Sequence, residues 1–191
     1  FRCDVAPLIP LEFWQQARQA VEQVRPGCLW LSESVEPSFT LSNRARGMVS
    51  LSDAEIFQAF DVCYDYDVHG DLLNALTGKG TLATYADAIN RQAYTYPANY
   101  VKLRFLENHD RPRAAWILPG AQVRRNWTAL LYFQQGMTLL YAGQEIECTH
   151  RPSLFDRDPI DWASGYEHTQ QYQTLYAIKQ DAIFAQGTYA I

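Results

Sequence analysis

The chain has 191 residues, of which 48% are hydrophobic and 19% charged, a composition that excludes a disordered chain and permits a sizeable core. Its net charge of −5 and its scattered basic residues argue against a nucleic-acid partner, because phosphate contacts require clustered Lys and Arg. No apolar run approaches the roughly 20 residues that cross a bilayer, so the sequence predicts neither a membrane span nor a membrane anchor.

Strand-like and helix-like segments alternate along the chain. Short apolar runs predict strands over residues 1–4, 28–32, 61–67, 100–107 and 137–142. Apolar side chains at helical spacing predict helices over residues 11–24, 52–60, 81–94, 121–134 and 167–182. The two polar stretches 34–52 and 144–166 are predicted to be long loops that face a substrate.

Five strand-then-helix units in succession predict an α/β fold with a parallel sheet and right-handed crossovers. A barrel is favoured over an open dinucleotide-binding sheet, because no Gly-rich phosphate turn is present and polar clusters follow successive strands. Five strands are fewer than eight, and a complete barrel typically has about 250 residues. We therefore interpret residues 1–191 as a partial TIM (β/α)₈ barrel. Because Phe1 is not Met and begins inside an apolar run, the chain is expected to be the later part of a longer protein.

Three carboxylates each follow an apolar run: Asp4, Glu33 and Asp110. The carboxyl ends of parallel barrel strands meet at one rim, where such folds carry their active sites, so the three side chains are expected to lie close together. Taken singly, each carboxylate is more typical of a salt bridge or a loop anchor, because polar strand ends are common. Only the set of three favours catalysis.

The surroundings of these carboxylates predict different roles. Residues two apart in a strand share a face, so Arg2 is expected to lie beside Asp4 and keep it ionised, as a nucleophile requires. Glu33 ends a buried strand, where desolvation would raise its pKa and let it carry a proton to a leaving group. Retaining glycosidases divide the work between two carboxylates in this way. Asp110 would either stabilise positive charge on the sugar ring or hold its hydroxyls.

Further candidates surround the predicted site. Asn108 is expected to share a strand face with Asp110, and Asn108 and His109 to contact sugar hydroxyls. Trp162 is a candidate stacking platform, although loop aromatics usually serve packing. Glu107 points to the opposite strand face and is predicted to anchor structure. The chain contains neither a G-x-S-x-G turn nor an H-E-x-x-H helix, so serine-hydrolase and zinc-protease chemistries lack their signatures.

Several motifs together resemble the α-amylase family, glycoside hydrolase family 13. Phe-Arg-Cys-Asp-Val-Ala at 1–6, Ser-Glu-Ser at 32–34 and Phe-Leu-Glu-Asn-His-Asp at 105–110 resemble its second, third and fourth signature regions. Residues 137–145 are similar to its eighth barrel strand, and residues 151–162 to the segment that often follows. Order and spacing match from strand four to helix eight. Strands one to three, the inserted loop domain and the C-terminal β-domain of the family have no counterpart in these residues.

The resemblance implies specific roles and ligands. Asp4 would be the nucleophile, Glu33 the general acid/base and Asp110 the stabiliser of the transition state, with Arg2 orienting Asp4 and His109 contacting the sugar. The implied activity is hydrolysis of α-linked glucans or maltooligosaccharides. No cofactor or metal is expected to be bound here, although structural calcium is possible in a complete protein of this family.

Two other functions remain open at this point. A transglycosylase or glucoside isomerase of the same family would use the same covalent intermediate but exclude water. A non-catalytic relative would typically have lost the carboxylates, whereas Asp4, Glu33 and Asp110 are all present. The isolated chain is predicted to be inactive and to self-associate through open barrel edges.

The four cysteines are Cys3, Cys28, Cys63 and Cys148. They lack the close spacing of zinc sites and are too sparse for a disulfide scaffold. The first three lie in successive predicted strands, so a metal or redox cluster is conceivable, but buried free thiols are the favoured interpretation. Free thiols favour a reducing compartment such as the cytoplasm.

Overall fold

A computed structural model describes residues 1–189 and 191 of the protein. The chain divides into two compact units, the first comprising Phe1–Leu103 with Ile191 and the second beginning at Arg104. Among the described residues, no helix combines the length and apolar character that crossing a membrane requires.

The strands form one sheet in the order of the chain. They are Arg2–Cys3 (β1), Leu31–Ser32 (β2), Val62–Tyr64 (β3), Lys102–Arg104 (β4) and Met137–Thr138 (β5). The pairs β1–β2, β2–β3 and β3–β4 are parallel, with Leu31 in register between Arg2 and Val62. Next to β5, the Leu139 N–H donates to the Arg104 carbonyl oxygen at 2.8 Å. The predicted parallel α/β fold is confirmed.

Helices connect and follow these strands. They are Leu11–Val24 (α1), Pro37–Ala45 (α2), Asp53–Ile56 (α3), His69–Leu76 (α4), Leu82–Thr95 (α5), Ala114–Ile117 (α6), Ala121–Phe133 (α7), Thr169–Lys179 (α8) and Ile183–Gln186 (α9). Short 3-10 turns occupy Ala6–Leu8 and Gln144–Ile146. The α1, α5 and α7 predictions agree with these bounds to within one residue at each end.

The sequence missed four helices, α2, α4, α6 and α9, and misplaced two helix ends. The stretch 34–52, predicted as loop, contains α2, whose buried residues are Thr40 and Asn43. A helix that buries polar side chains has no apolar periodicity to detect. Similarly, α4 has only eight residues, too few for a clear pattern. The helix predicted over 52–60 ends at Ile56, and the one predicted over 167–182 breaks after Lys179.

An aromatic core fixes the start of the first unit. Trp14 of α1 donates its indole N–H to the Ala6 carbonyl oxygen at 3.0 Å and meets Phe60 edge to face, with ring centroids 5.1 Å apart. Trp30 contacts the same Phe60 ring at 5.9 Å. Burying such side chains contributes about 1.5–3 kcal/mol each to stability. This core therefore holds β1 and β2, and with them the residues that follow each strand.

All four cysteines are free thiols, but only Cys63 and Cys148 are buried, as the favoured interpretation predicted, whereas Cys3 and Cys28 are half-buried. Cys63 is fully buried in the aromatic core, against which Cys3 and Cys28 also pack. Burial raises the pKa of the Cys63 thiol well above its usual value, so the side chain stays neutral. These cysteines serve the core as small apolar groups.

A buried lysine lies between two carboxylates in the first unit. Lys102 in β4 is fully buried, and its Nζ lies 2.5 Å from Asp53 Oδ2 and 2.8 Å from Asp67 Oδ1. Gln92 and Tyr96 donate to Asp67 Oδ2 at 2.9 and 2.8 Å. Although burial opposes its charge, the two carboxylates raise the pKa of Lys102. The Lys102 ammonium thus balances only one of the two buried carboxylates. Burial raises the pKa of the Asp53 carboxyl above its ordinary value.

Candidate active site

The candidate site in the first unit lies where β1 and β2 end. Arg2 Nη1 donates to Asp4 Oδ1 at 2.6 Å, and Arg2 Nη2 forms an ion pair with Glu33 Oε1. The predicted contact between Arg2 and Asp4 is therefore present. The bridge from the same guanidinium to Glu33 was not predicted, because 31 positions separate the two residues and no sequence pattern links them.

The two bridged carboxylates differ sharply in their exposure. The side chain of Asp4 is 77% exposed, whereas that of Glu33 is 6% exposed. Glu33 follows β2 directly, and its backbone N–H donates to the Cys3 carbonyl oxygen at 3.0 Å, which continues the pairing of β1 with β2. The Arg2 guanidinium thus contacts one exposed carboxylate, Asp4, and one buried carboxylate, Glu33.

A strained turn follows Asp4. Val5 has φ 37° and ψ 44°, in the left-handed region that β-branched residues rarely adopt. In this conformation the Val5 N–H donates to Glu33 Oε2 at 3.1 Å. Strain of this kind costs about 1–3 kcal/mol and is concentrated at functional sites. The turn therefore fixes Glu33 through an amide and places Asp4 immediately before it.

Arg2 is a permanent cation at this position. Burial works against its charge, but the hydrogen bond to Asp4 and the negative charge of Glu33 raise the pKa of Arg2 further. Its guanidinium carbon also lies 6.0 Å from the centroid of the Tyr64 ring, in β3. Side chains from three adjacent strand ends thus surround one positive charge, which favours the ionised form of neighbouring acids.

In the second unit, Asn108, His109 and Asp110 form a turn. Asn108 is buried, and its Oδ1 accepts a hydrogen bond from the Asp110 N–H at 2.9 Å. His109 Nε2 lies 3.3 Å from Asp110 Oδ2. The prediction that Asn108 and Asp110 share a strand face is wrong, because β4 ends at Arg104 and the backbone turns at this point. An Asx hydrogen bond rather than strand pleating orients the two residues.

Asp110 and Trp162 are accessible within the second unit. The side chain of Asp110 is 43% exposed and that of His109 29%, while Trp162 is 56% exposed. The Arg151 guanidinium donates to the His109 carbonyl oxygen at 3.3 Å, so the turn is connected to the segment that follows β5. A sugar-stacking role for Trp162 stays a prediction.

Glu107 belongs to a buried ion pair, in agreement with its predicted anchoring role. Arg113 Nη1 lies 2.7 Å from Glu107 Oε1 and also donates to the Ala142 carbonyl oxygen at 2.9 Å. Arg113 Nε donates to the His150 carbonyl oxygen at 2.9 Å, and the Ala114 N–H donates to Glu107 Oε2 at 2.6 Å. Burial raises the pKa of Glu107 despite these partners. One guanidinium thus ties the segment after β4 to the loop after β5.

Replacing Glu107 with Gln is expected to lower stability without abolishing turnover. The amide keeps the shape but removes the counter-charge of Arg113, which costs about 3 kcal/mol of unfolding free energy. In an enzymatically active protein, kcat should stay within roughly tenfold of its original value, because both Glu107 oxygens are engaged by Arg113 and the Ala114 N–H. Urea unfolding and an activity assay measure the two quantities.

The matched control for this change is Glu167→Gln at an exposed position. It should alter stability by less than about 0.5 kcal/mol. Loss of turnover in a folded Glu107→Gln protein would contradict the anchoring role and make Glu107 a candidate proton donor.

A second anchor holds the 144–166 loop. Glu147 has φ 56°, in the left-handed region, and both its oxygens pair with the Arg124 guanidinium, Oε1 at 2.9 Å from Nε. His168 Nε2 lies 3.4 Å from the same Oε1. A Cβ at Gly165 would lie 1.8 Å from the Ile146 carbonyl oxygen, so only glycine permits this close approach. The sequence predicted a long loop here but not these contacts.

The chain is similar in sequence and in structure to known alpha-amylases. A family model described as alpha amylase, catalytic domain, matches residues 8–184. An alpha-amylase structure from Lactobacillus plantarum is 43% identical with a TM-score of 0.95, covering 98% of this chain and 44% of that one. A maltogenic alpha-amylase from Thermotoga neapolitana is 32% identical with a TM-score of 0.79, covering 97% and 40%.

A more distant similarity concerns the fold alone. The alpha-amylase from Geobacillus thermoleovorans, solved in complex with acarbose, is 19% identical with a TM-score of 0.74, covering 94% of this chain and 39% of that one. The chain spans less than half the length of each of these three structures. Its parallel sheet matches part of the TIM barrel in such catalytic domains, which confirms the predicted fold class.

Proposed function

The chain belongs to the alpha-amylase family, as its motifs predicted, and from this premise we propose that it carries the catalytic carboxylates of a retaining α-glycosidase. The proposed reaction is hydrolysis of α-linked glucans or maltooligosaccharides. The observation that carries this proposal is the Arg2 guanidinium, which contacts both the exposed Asp4 and the buried Glu33. The acarbose complex of the Geobacillus thermoleovorans structure supports an oligosaccharide as the substrate class.

Asp4 is proposed as the nucleophile. Its carboxylate is accessible to a ligand and hydrogen-bonded to a cation that favours its ionised form. In the first step an Asp4 oxygen forms a bond to the anomeric carbon as the glycosidic C–O bond breaks. Arg2 is a positioning residue in this step, because its guanidinium holds the Asp4 carboxylate. Asp110 is proposed to stabilise the positive charge that develops on the ring.

Glu33 is proposed as the general acid and base. It gives its proton to the departing glycosidic oxygen, so that the leaving sugar departs neutral. In the second step Glu33 takes a proton from water, the water oxygen attacks the anomeric carbon, and the bond to Asp4 breaks. The position of Glu33 beside Asp4, held by the same Arg2 guanidinium and by the Val5 N–H, supports its role next to the nucleophile. Two inversions at the same carbon return the α configuration.

The remaining predicted contacts complete the proposal. His109 and Asn108 are proposed to contact sugar hydroxyls, and Trp162 to offer a stacking surface, which its exposure supports. No step uses a metal ion or an organic cofactor, because the carboxylates perform both the proton transfer and the nucleophilic attack. Structural calcium elsewhere in a complete protein is compatible with this chemistry.

The stereochemistry of the product tests the retaining mechanism. We expect proton NMR spectra recorded in the first moments of maltooligosaccharide hydrolysis to show the α anomer at the new reducing end, before mutarotation. Appearance of the β anomer would overturn the double-displacement proposal. A fluorinated glucosyl fluoride that slows the second step should label Asp4, as located by peptide mass spectrometry, and the Asp4→Asn variant should remain unlabelled.

The same assay distinguishes hydrolysis from transfer. Hydrolysis produces one new reducing end for each bond that is cleaved. Longer maltooligosaccharides or rearranged glucosides without a net gain of reducing ends would replace the hydrolase proposal with a transglycosylase or isomerase that uses the same carboxylates.

A further inference from the structure

The left-handed turn at Val5 is held by groups to which the proposed reaction assigns no role. Val5 has φ 37° and ψ 44°, and a β-branched residue keeps such a conformation only where the surrounding structure fixes it. In this conformation its N–H is directed toward Glu33 Oε2. The groups that fix the turn are therefore candidates for a role in placing Glu33.

Consecutive carbonyl groups of this turn accept hydrogen bonds. The carbonyl oxygens of Val5, Ala6 and Pro7 each accept a backbone N–H, at 3.0, 3.2 and 2.8 Å. The donors are the amides of Leu8, Ile9 and Leu51. The Ala6 carbonyl oxygen also accepts from the Trp14 indole N–H at 3.0 Å. Trp14 of α1 thus supplies a side-chain donor to the turn.

The Trp14 indole is itself fixed by packing. Its ring meets Phe60 edge to face with centroids 5.1 Å apart, and Phe13 edge to face at the same separation. Trp14 is only 9% exposed and Ala6 is fully buried. Movement of the Ala6 carbonyl away from the indole would leave a buried N–H without its acceptor, which is unfavourable. The aromatic core therefore holds this carbonyl in one position.

The backbone of Val5 and Ala6 connects this carbonyl to Glu33. The Val5 N–H donates to Glu33 Oε2 at 3.1 Å, while Arg2 engages the other carboxylate oxygen, Oε1. The amide and the guanidinium together orient a side chain that is 6% exposed. A shift of the turn would change the amide contact and leave the ion pair to Arg2 in place, so the carboxylate would rotate.

We propose that Trp14 is a positioning residue for Glu33, acting through the Ala6 carbonyl and the Val5 amide. This inference rests on the proposed role of Glu33 as general acid and base. Misplacing a reacting group by about 1 Å can lower a rate about 100-fold, even when the mutation is far from the chemistry. A hydrogen bond in the aromatic core can therefore affect proton transfer to the glycosidic oxygen.

Amide exchange measured by NMR on the protein tests the structural part of this inference. Trp14→Phe removes the indole N–H and keeps an aromatic ring in the core. It is expected to speed exchange of the Val5 N–H about fivefold, as loss of one buried hydrogen bond predicts. Trp30→Phe is the matched control, because the Trp30 ring also meets Phe60 and the bond to Ala6 is left intact. It should leave Val5 exchange unchanged.

Kinetics in an enzymatically active protein test the catalytic part. Trp14→Phe is expected to lower kcat on maltooligosaccharides at least about tenfold with KM near its original value, because proton transfer is misaligned. The fluoride burst from a glycosyl fluoride should be slowed much less, since fluoride departs without a proton. Trp30→Phe should keep both rates close to the original values.

Three results would overturn the inference: unchanged Val5 exchange in Trp14→Phe, equal effects of Trp14→Phe and Trp30→Phe, or equal slowing of both substrates. Failure of the proposed function is recognised separately, because Glu33→Gln would then keep its turnover of maltooligosaccharides, whereas Val5 exchange depends on no activity. If Trp14→Phe fails to fold, replacing Trp14 with benzothienylalanine, which has sulfur in place of the indole N–H, decides in the same way.

Discussion

Replacing Asp4 with Asn in the enzymatically active protein is expected to lower kcat at least about 10³-fold, equivalent to a loss of about 4 kcal/mol of transition-state stabilisation. In the proposed mechanism the amide cannot form the covalent bond to the anomeric carbon, and it no longer balances the charge of Arg2. Initial rates on maltooligosaccharides measure this effect. Because the Asp4 side chain is 77% exposed, the change should leave the unfolding midpoint nearly unaltered.

Glu33→Gln should behave differently from Asp4→Asn. It is expected to lose turnover of maltooligosaccharides but still to react with a glycosyl fluoride in the first step, because fluoride departs without a proton. A burst of about one fluoride per enzyme followed by slow release is expected, because hydrolysis of the covalent intermediate still needs Glu33 as a base. Asp4→Asn should lose both activities. Glu36→Gln, three residues further along the chain, is the matched control and should remain active. An Asp4→Asn protein that keeps most of its activity would remove the nucleophile assignment.

Replacing Lys102 with Met is expected to lower the free energy of unfolding by about 3–5 kcal/mol. The change leaves Asp53 and Asp67 buried beside each other without a counter-charge. Chemical denaturation measures the loss, and Lys79→Met at an exposed position is the control, with an expected change below about 0.5 kcal/mol. A loss no larger than in the control would mean that Lys102 contributes nothing to stability.

The pH dependence of this loss has a definite sign. In the original protein the pKa of Lys102 is raised above its ordinary 10.5, so its contribution is complete below pH 10.5 and falls as pH rises through the higher folded value. In Lys102→Met the folded-state pKa values of Asp53 and Asp67 should both rise, since each carboxylate loses its cation. The variant should therefore regain stability as pH falls from 7 toward 4. Constant destabilisation across that range would contradict a buried ionic cause.

Some features of the site were readable from the sequence because they are local. Arg2 and Asp4 are two residues apart, so their contact depends only on the backbone of β1 and of the turn directly after it. The motif at 105–110 identified the segment that holds His109 and Asp110. Strand lengths were overestimated, because apolar residues continue past the last ladder hydrogen bond into Phe105 and Leu106, which are buried without belonging to β4.

Other features could not be read because their partners are distant in the chain. Nothing near Glu33 in the sequence indicates that the Val5 amide and the Arg2 guanidinium hold it. The same applies to Arg113. Its guanidinium donates to the carbonyl oxygens of Ala142 and His150, although helix α7 separates it from both residues along the chain. Their positions depend on how the strands and loops pack.

The sequence by itself determined the alternation of strands and helices, the family and the identity of the candidate carboxylates, because periodicity and motif spacing are properties of neighbouring residues. Only the tertiary structure decided the surroundings of those carboxylates: which one is exposed, which is buried and which cation joins them. It also placed Lys102 between Asp53 and Asp67 rather than in solvent. Burial and ion pairing depend on contacts between residues far apart in the chain, and these exist only once the sheet has formed.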